Sequence, residues 1–249
     1  MIRYFTELSY SGKNYVGWQI QPNGLSVQEV LQKSLSTILR QEIDVVGAGR
    51  TDAGVHAEKM FAHFDVESEI VDCESMVGRL NNFLPKDISI HDIRRVKDDA
   101  HARFSAVSRT YKYHVTTKKD AFMYDYKHRI YFTPDVEYMN SMCKVFMEYE
   151  DFTSFSKLHT DVKTNICHIR DAYWEVDGDD LIFTITANRF LRNMVRAIVG
   201  TMLQIGKGKL DEDGLRKIFA QKDRQKAGDS APGHALFLHH VEYPDDIWM

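Results

Sequence analysis

Over its first hundred residues the chain alternates two apolar periods in a fixed order, and that order restricts its fold more than any other feature. Period-two patterns mark strands at residues 2–9, 43–48, 60–67 and 88–96, and helical patterns mark residues 26–39 and 74–84. The order strand, helix, strand, strand, helix, strand predicts the split βαβ, or ferredoxin-like, arrangement. The first helix has a capping box, Ser26 with Glu29, and an apolar stripe of Val27, Val30, Leu31, Leu35, Ile38 and Leu39 at the 3.6 period. In residues 60–67, Met60, Ala62, Phe64 and Val66 alternate with neighbours expected to be polar or exposed, as in a half-buried strand.

The second half repeats the order with additions. A strand is expected at 110–117, a helix at 136–149, a hairpin turning at Asp177-Gly178, helices at 191–205 and 212–221, and a closing strand at 236–243. The expected class is therefore α+β, with two ferredoxin-like (RRM-like) halves, residues 1–105 and 106–249. Their mainly antiparallel sheets would flank a central cleft. The halves share an order of elements and no tandem sequence repeat.

With 249 residues, 43% hydrophobic and 27% charged, the chain has the composition of a soluble protein with a sizeable core. Its 32 basic and 36 acidic residues give a formal charge of −4, which argues against unspecific coating of nucleic acid and leaves room for a local basic cleft. Cys73, Cys143 and Cys167 are odd in number and widely spaced, so buried free thiols are expected rather than a disulfide framework or a zinc site. The first residues lack a basic flank before an apolar core, and no apolar run approaches about 18 residues, so a cytoplasmic protein without membrane association is expected.

Candidate chemistry concentrates at residues 47–57, GAGRTDAGVHA, where Asp52 stands in a glycine-rich turn after a short apolar strand. Gly47, Gly49 and Gly54 relax the steric limits on the backbone, so a substrate could approach the carboxylate closely. Arg50, Thr51 and His56 add a cation, a hydroxyl and an imidazole. A loop between strands would explain the glycines and aspartate equally well. The run has neither a third glycine at position 52 nor a Gly-Lys-Ser/Thr ending, so it fits no dinucleotide or phosphate loop.

Elsewhere, Met194, Val195, Ile198, Val199, Met202 and Leu203 form one apolar helical stripe, which puts Arg192 and Arg196 one turn apart on its flank. They could be solvated helix arginines or point into a cleft. Tyr111 and Tyr113 share one face of a strand and Lys112 the other, which suits core packing as well as base stacking. None of the eleven histidines is assigned to a metal; His56 and His101 are expected chiefly to hold loops.

The run GRTDAGVHA resembles the signature of the TruA family of tRNA pseudouridine synthases, whose catalytic aspartate stands where Asp52 stands. Further matches follow in order: residues 10–19 (YSGKNYVGWQ), 101–106 (HARFSA), 109–113 (RTYKY), 151–155 (DFTSF) and 194–200 (MVRAIVG). The segment 231–238, APGHALFL, resembles the family's APxxGLxL, with Ala235 in place of the usual glycine. Alanine there requires a negative φ or some strain.

The resemblance implies the pseudouridine synthase fold and isomerisation of uridine to pseudouridine at positions 38, 39 and 40 of the tRNA anticodon arm, without cofactor or metal. It implies Asp52 as the catalytic carboxylate, Arg196 as its partner, and Tyr111 stacking on the uracil and taking part in removal of the C5 proton. Arg50 would hold the flipped nucleotide and Leu236 would wall the uracil pocket. Arg109 and Arg192 are candidates for phosphate contact, with Arg103, Lys112, Lys207 and Lys209. A homodimer with each tRNA spanning both subunits is also implied. The rival readings are a noncatalytic RNA-binding protein on tandem ferredoxin-like domains, or a synthase acting on another RNA site.

Overall fold

In the computed structural model, which describes residues 1–157 and 164–249, helix α1 (Val27–Leu39) begins where its capping box predicts. The Ser26 side chain accepts a hydrogen bond from the Glu29 backbone N–H at 3.2 Å, and Val27, Leu31 and Leu35 are wholly buried. The chain divides into two compact units, Met1–Ser108 with Phe237–Met249, and Arg109–Leu236. Secondary structure is mixed α and β, and strand pairing is mainly antiparallel.

The first unit contains β1 (Ile2–Tyr10), α1, β2 (Val46–Gly47), β3 (His56–Val66), α2 (Cys73–Phe83) and β4 (Ile88–Arg95). Strand β1 lies between β4 and β3, antiparallel to both, and β2 pairs antiparallel with β3. Strand β9 (Leu236–Glu242) runs parallel to the start of β3, with His56 opposite Phe237 and Ala57 opposite Leu238. That pairing carries the end of the chain into the first unit.

Two expectations are corrected here. The strand expected at 43–48 is reduced to Val46–Gly47, because side chains of α1 take the backbone groups a neighbouring strand would have used. The Ile43 N–H donates to Ser36 Oγ at 3.0 Å, the Val45 N–H to Gln32 Oε1 at 3.3 Å, and Gln28 Nε2 donates to the Val45 carbonyl at 2.6 Å. Strand β3 is longer than expected and buried on both faces rather than one. Phe61 lies beneath Tyr243 and Trp248, with ring centroids 5.2 and 6.0 Å away, and His63 lies beneath His101 at 4.6 Å. A period-two pattern cannot show that the chain's own terminus and a distant loop will cover the second face.

The second unit contains most of β5 (Ser108–Thr116), then β6 (His128–Arg129), α3 (Val136–Met147), β7 (Ile169–Asp177), β8 (Asp180–Ala187), α4 (Met194–Gly206) and α5 (Glu212–Gln221). Strand β8 lies antiparallel between β5 and β7, and β6 is a two-residue parallel pairing on β5. The hairpin turns through Gly178 at φ +62°, a conformation glycine adopts without steric cost. Phe146, Phe152, Phe155 and Phe219 form an aromatic cluster that joins α3 and α5 to the DFTSF segment. Within it Ser154 donates to the Ile218 carbonyl at 2.6 Å, so this motif builds core. The three cysteines are free thiols; burial pushes Cys143 up to about 12 and Cys167 up to about 11.

Candidate active site

Asp52 is displayed by a turn whose neighbours are tied on both sides. Before it, the Ala48 N–H donates to the Phe61 carbonyl at 2.8 Å and the Trp18 N–H to the Thr51 carbonyl at 3.2 Å. The Thr51 hydroxyl shares a 2.9 Å hydrogen bond with the Tyr10 hydroxyl. After it, the Val55 N–H returns to the Asp52 carbonyl at 3.2 Å, closing a four-residue turn with Gly54 at φ +76°. Asp52 itself is half-buried and Arg50, on the same loop, is exposed. Backbone strain is thereby confined to a glycine and the carboxylate is set by the scaffold.

The glycines around this turn have distinct duties. Gly17 has φ +116°, and a Cβ there would lie 2.4 Å from the Thr51 carbonyl oxygen. A Cβ at Gly47 would lie 2.4 Å from Cε2 of Trp18. Gly49 has nothing within 4 Å of its Cβ position, so the protein itself does not require glycine there. His56 is buried and accepts a hydrogen bond from the Gly12 N–H through Nδ1 at 3.0 Å, with its ring stacked on Phe237 at 4.6 Å. An acceptor at Nδ1 is a neutral imidazole that holds a loop.

In the second unit, the Arg196 Nε–H donates to the Ala231 carbonyl at 2.7 Å, and the Ala231 N–H donates to the Arg196 carbonyl at 2.9 Å. The same segment passes so near α4 that a Cβ at Gly200 would fall 1.7 Å from the Asp229 carbonyl oxygen. Tyr113, buried, donates its hydroxyl to the Pro232 carbonyl at 3.0 Å; burial raises its pKa and the Arg196 charge opposes that rise. Residues 231–232 therefore bring Arg196 and Tyr113 together. The strand pattern that suits core packing and stacking alike does not show what the Tyr113 phenol tip will reach.

The remaining candidates lie in the second unit. Tyr111 is half-buried, with its ring edge-on to Phe190 at 5.2 Å. Arg109 donates to the Asn188 carbonyl at 2.9 Å. Leu236 is buried at the start of β9. Ala235 lies in the short 3-10 turn Gly233–Ala235, outside the left-handed region, so alanine in place of glycine carries no backbone strain.

The expected pairing of Arg192 and Arg196 one turn apart on a helix is corrected. Helix α4 starts at Met194, because Asn193 adopts φ +67° and its side-chain amide donates to Ser230 Oγ at 2.6 Å. Arg192 lies before the helix and is exposed. Arg224 was not expected at the site, yet it donates to the Gly228 carbonyl at 3.1 Å and to Ser230 Oγ at 2.7 Å, bracing the segment that holds Arg196. It stands in a polar run with no periodicity, so the sequence carries no signal for it. Among the described residues, no three or more His, Cys, Asp or Glu side chains group as they would to hold a metal ion. No helix among them is long and apolar enough to cross a membrane.

Residues 8–105 and 143–244 match the family model described as tRNA pseudouridine synthase. A protein named tRNA pseudouridine synthase A from Bacteroides thetaiotaomicron is 60% identical over 251 residues, covering all of this chain and 93% of its own. Proteins of the same name from Parabacteroides distasonis and Bacillus subtilis are 56% and 39% identical. They cover 100% and 95% of this chain and 98% and 97% of their own lengths. The chain belongs to the tRNA pseudouridine synthase family.

Proposed function

We propose that the protein isomerises uridine to pseudouridine at positions 38, 39 and 40 of the tRNA anticodon arm, with Asp52 as its catalytic carboxylate. The observation that carries this reading is the tied turn that displays Asp52, in a chain of this family. The reaction breaks the C1′–N1 bond, rotates the uracil, forms C1′–C5 and removes the C5 proton while N1 gains one. Bond cleavage builds positive character on the sugar, which a fixed carboxylate stabilises or captures. Attack at C1′, formation of a glycal and attack at C6 all start from the same ionised acid. Nothing is oxidised and the leaving group is retained, so neither cofactor nor metal is required.

Arg196 is proposed to keep Asp52 ionised, since a carboxylate drawn away from water otherwise tends to hold its proton. Tyr111 stacks on the target uracil and assists loss of the C5 proton, Arg50 holds the flipped nucleotide, and Leu236 walls the pocket. Arg109 and Arg192 contact phosphate. The finer fold proposed is two ferredoxin-like halves, 1–105 and 106–249, supported for the first by the strand order β4-β1-β3-β2; the compact units differ from these bounds in that residues 106–108 and 237–249 group with the first. A cytoplasmic homodimer is proposed on family resemblance.

The test is tritium release from [5-³H]uridine-labelled tRNA by the purified protein, beside Asp52→Ala, with mapping of the modified positions. Release by the wild type alone, mapped to the anticodon arm, is expected. Tight tRNA binding without release from any tRNA would instead identify a noncatalytic binder, and release mapped elsewhere would change the substrate site.

A further inference from the structure

Phe104 exposes 74% of its surface, although it sits on a loop with no slack. Five successive N–H groups are engaged there. His101 N–H donates to Ser105 Oγ at 2.9 Å and Ala102 N–H to His63 Nδ1 at 3.1 Å. Arg103 and Phe104 N–H both donate to His101 Nδ1, at 3.1 and 3.3 Å, and Ser105 N–H donates to the His101 carbonyl at 2.9 Å. Both imidazoles act as acceptors and are neutral; burial holds His63 at about 4 and lowers His101.

The rings continue the same construction outward from the core. Phe5 and His63 lie 6.1 Å apart, His63 and His101 4.6 Å, and His101 and Phe104 4.3 Å. Phe5 and His63 are buried, so the column is rooted at one end and open at the other. The Arg103 guanidinium lies 5.5 Å from the Phe104 ring centroid. One exposed apolar side chain needs no function. A ring fixed by a three-ring column, on a loop with its donors engaged and beside a cation, loses little conformational entropy when a planar partner covers it.

We infer that Phe104 is a stacking platform for an unpaired base of the RNA substrate, with Arg103 beside it to meet the adjoining phosphate. This deepens the tRNA-modifying reading and rests on it. A flat ring next to a guanidinium suits a base and its phosphate, and stacking tolerates any base because each has a π-face. His101 and His63 are positioning residues for the platform.

The test measures the dissociation constant of unmodified tRNA in an Asp52→Ala background, which prevents turnover, with Phe104 as wild type, Ala, Leu or Trp. Stacking predicts roughly 5- to 100-fold weaker binding for Phe104→Ala and Phe104→Leu, and retained affinity for Phe104→Trp. It also predicts that tRNA quenches additional tryptophan emission in Phe104→Trp relative to the parent. Unchanged affinity in Phe104→Ala, or a Leu variant as tight as the parent, overturns it. A shift in self-association on sedimentation of Phe104→Ala alone would assign the ring to a contact between copies of the chain and also overturns it. Tritium release by the wild-type protein, run in parallel, separates the two claims. Release with unchanged Phe104→Ala affinity removes the platform and leaves the function, whereas absence of release removes the function and leaves the affinity series to decide the platform.

Discussion

Arg196 and Ala231 bond to each other twice, Nε to carbonyl at 2.7 Å and carbonyl from N–H at 2.9 Å, so the guanidinium of α4 is held by the backbone it helps to hold. Nε is committed to that carbonyl, so the proposed pairing with Asp52 would use the Nη groups. Lysine has one nitrogen and cannot serve both duties in a fixed geometry. Arg196→Lys is expected to lower kcat about tenfold or more, the scale of one lost charged hydrogen bond. Arg196→Met is expected to lower it further and to shift the pH–rate profile; an unchanged profile in single-turnover assays would count against the pair.

Asp52→Asn keeps the shape of the turn, because the bonds that form it use the Asp52 backbone and the flanking residues. It removes only the charge that the proposed chemistry uses. Turnover is expected to vanish while tRNA affinity and thermal stability stay near wild type. Normal turnover in this variant would remove Asp52 from the reaction.

What could be read in advance follows a physical division. Local signals survived: Ser26 caps α1 as its box predicts, and the helix expected at 74–84 forms as Cys73–Phe83. Contacts between distant residues did not. The strand expected at 43–48 was shortened to Val46–Gly47 by side chains of α1, and the helix expected from 191 was cut short by Asn193, whose partner Ser230 lies 37 residues on. The loop of Asp52 stood out by composition, but the hydroxyl pair of Tyr10 and Thr51 that steadies it joins residues 41 apart. No period in a sequence encodes such a pairing.

The glycines of the Asp52 turn separate stability from substrate approach. Gly17→Ala would place a Cβ 2.4 Å from the Thr51 carbonyl oxygen at a φ of +116°. A loss of about 1–3 kcal/mol or more in urea unfolding is expected. Gly49→Ala meets nothing within 4 Å and its φ lies outside the left-handed region, so unfolding should move by no more than about 0.5 kcal/mol. If glycine at 49 serves close approach of the nucleoside, Gly49→Ala will raise the KM for tRNA on an intact fold. An unchanged KM would show that approach does not pass this position.

Acid stability should report on His63. Burial first, then the Arg3 and His101 charges, lower its pKa from 6.5 to about 4, so the folded state holds the neutral ring that accepts from the Ala102 N–H. Between these values the unfolded chain binds the proton and the folded chain does not. Stability therefore rises with pH across this window, and is lost as pH falls from about 6.5 towards 4. The loss from this residue is of order 3 kcal/mol at most, from 1.36 kcal/mol per pH unit over that interval. His101, lowered chiefly by burial, adds in the same direction. His63→Asn supplies a non-titrating acceptor near the Nδ1 position. Urea midpoints measured from pH 7 to 4 should fall less steeply for this variant than for the wild type; parallel curves would mean that His63 does not set the acid limit.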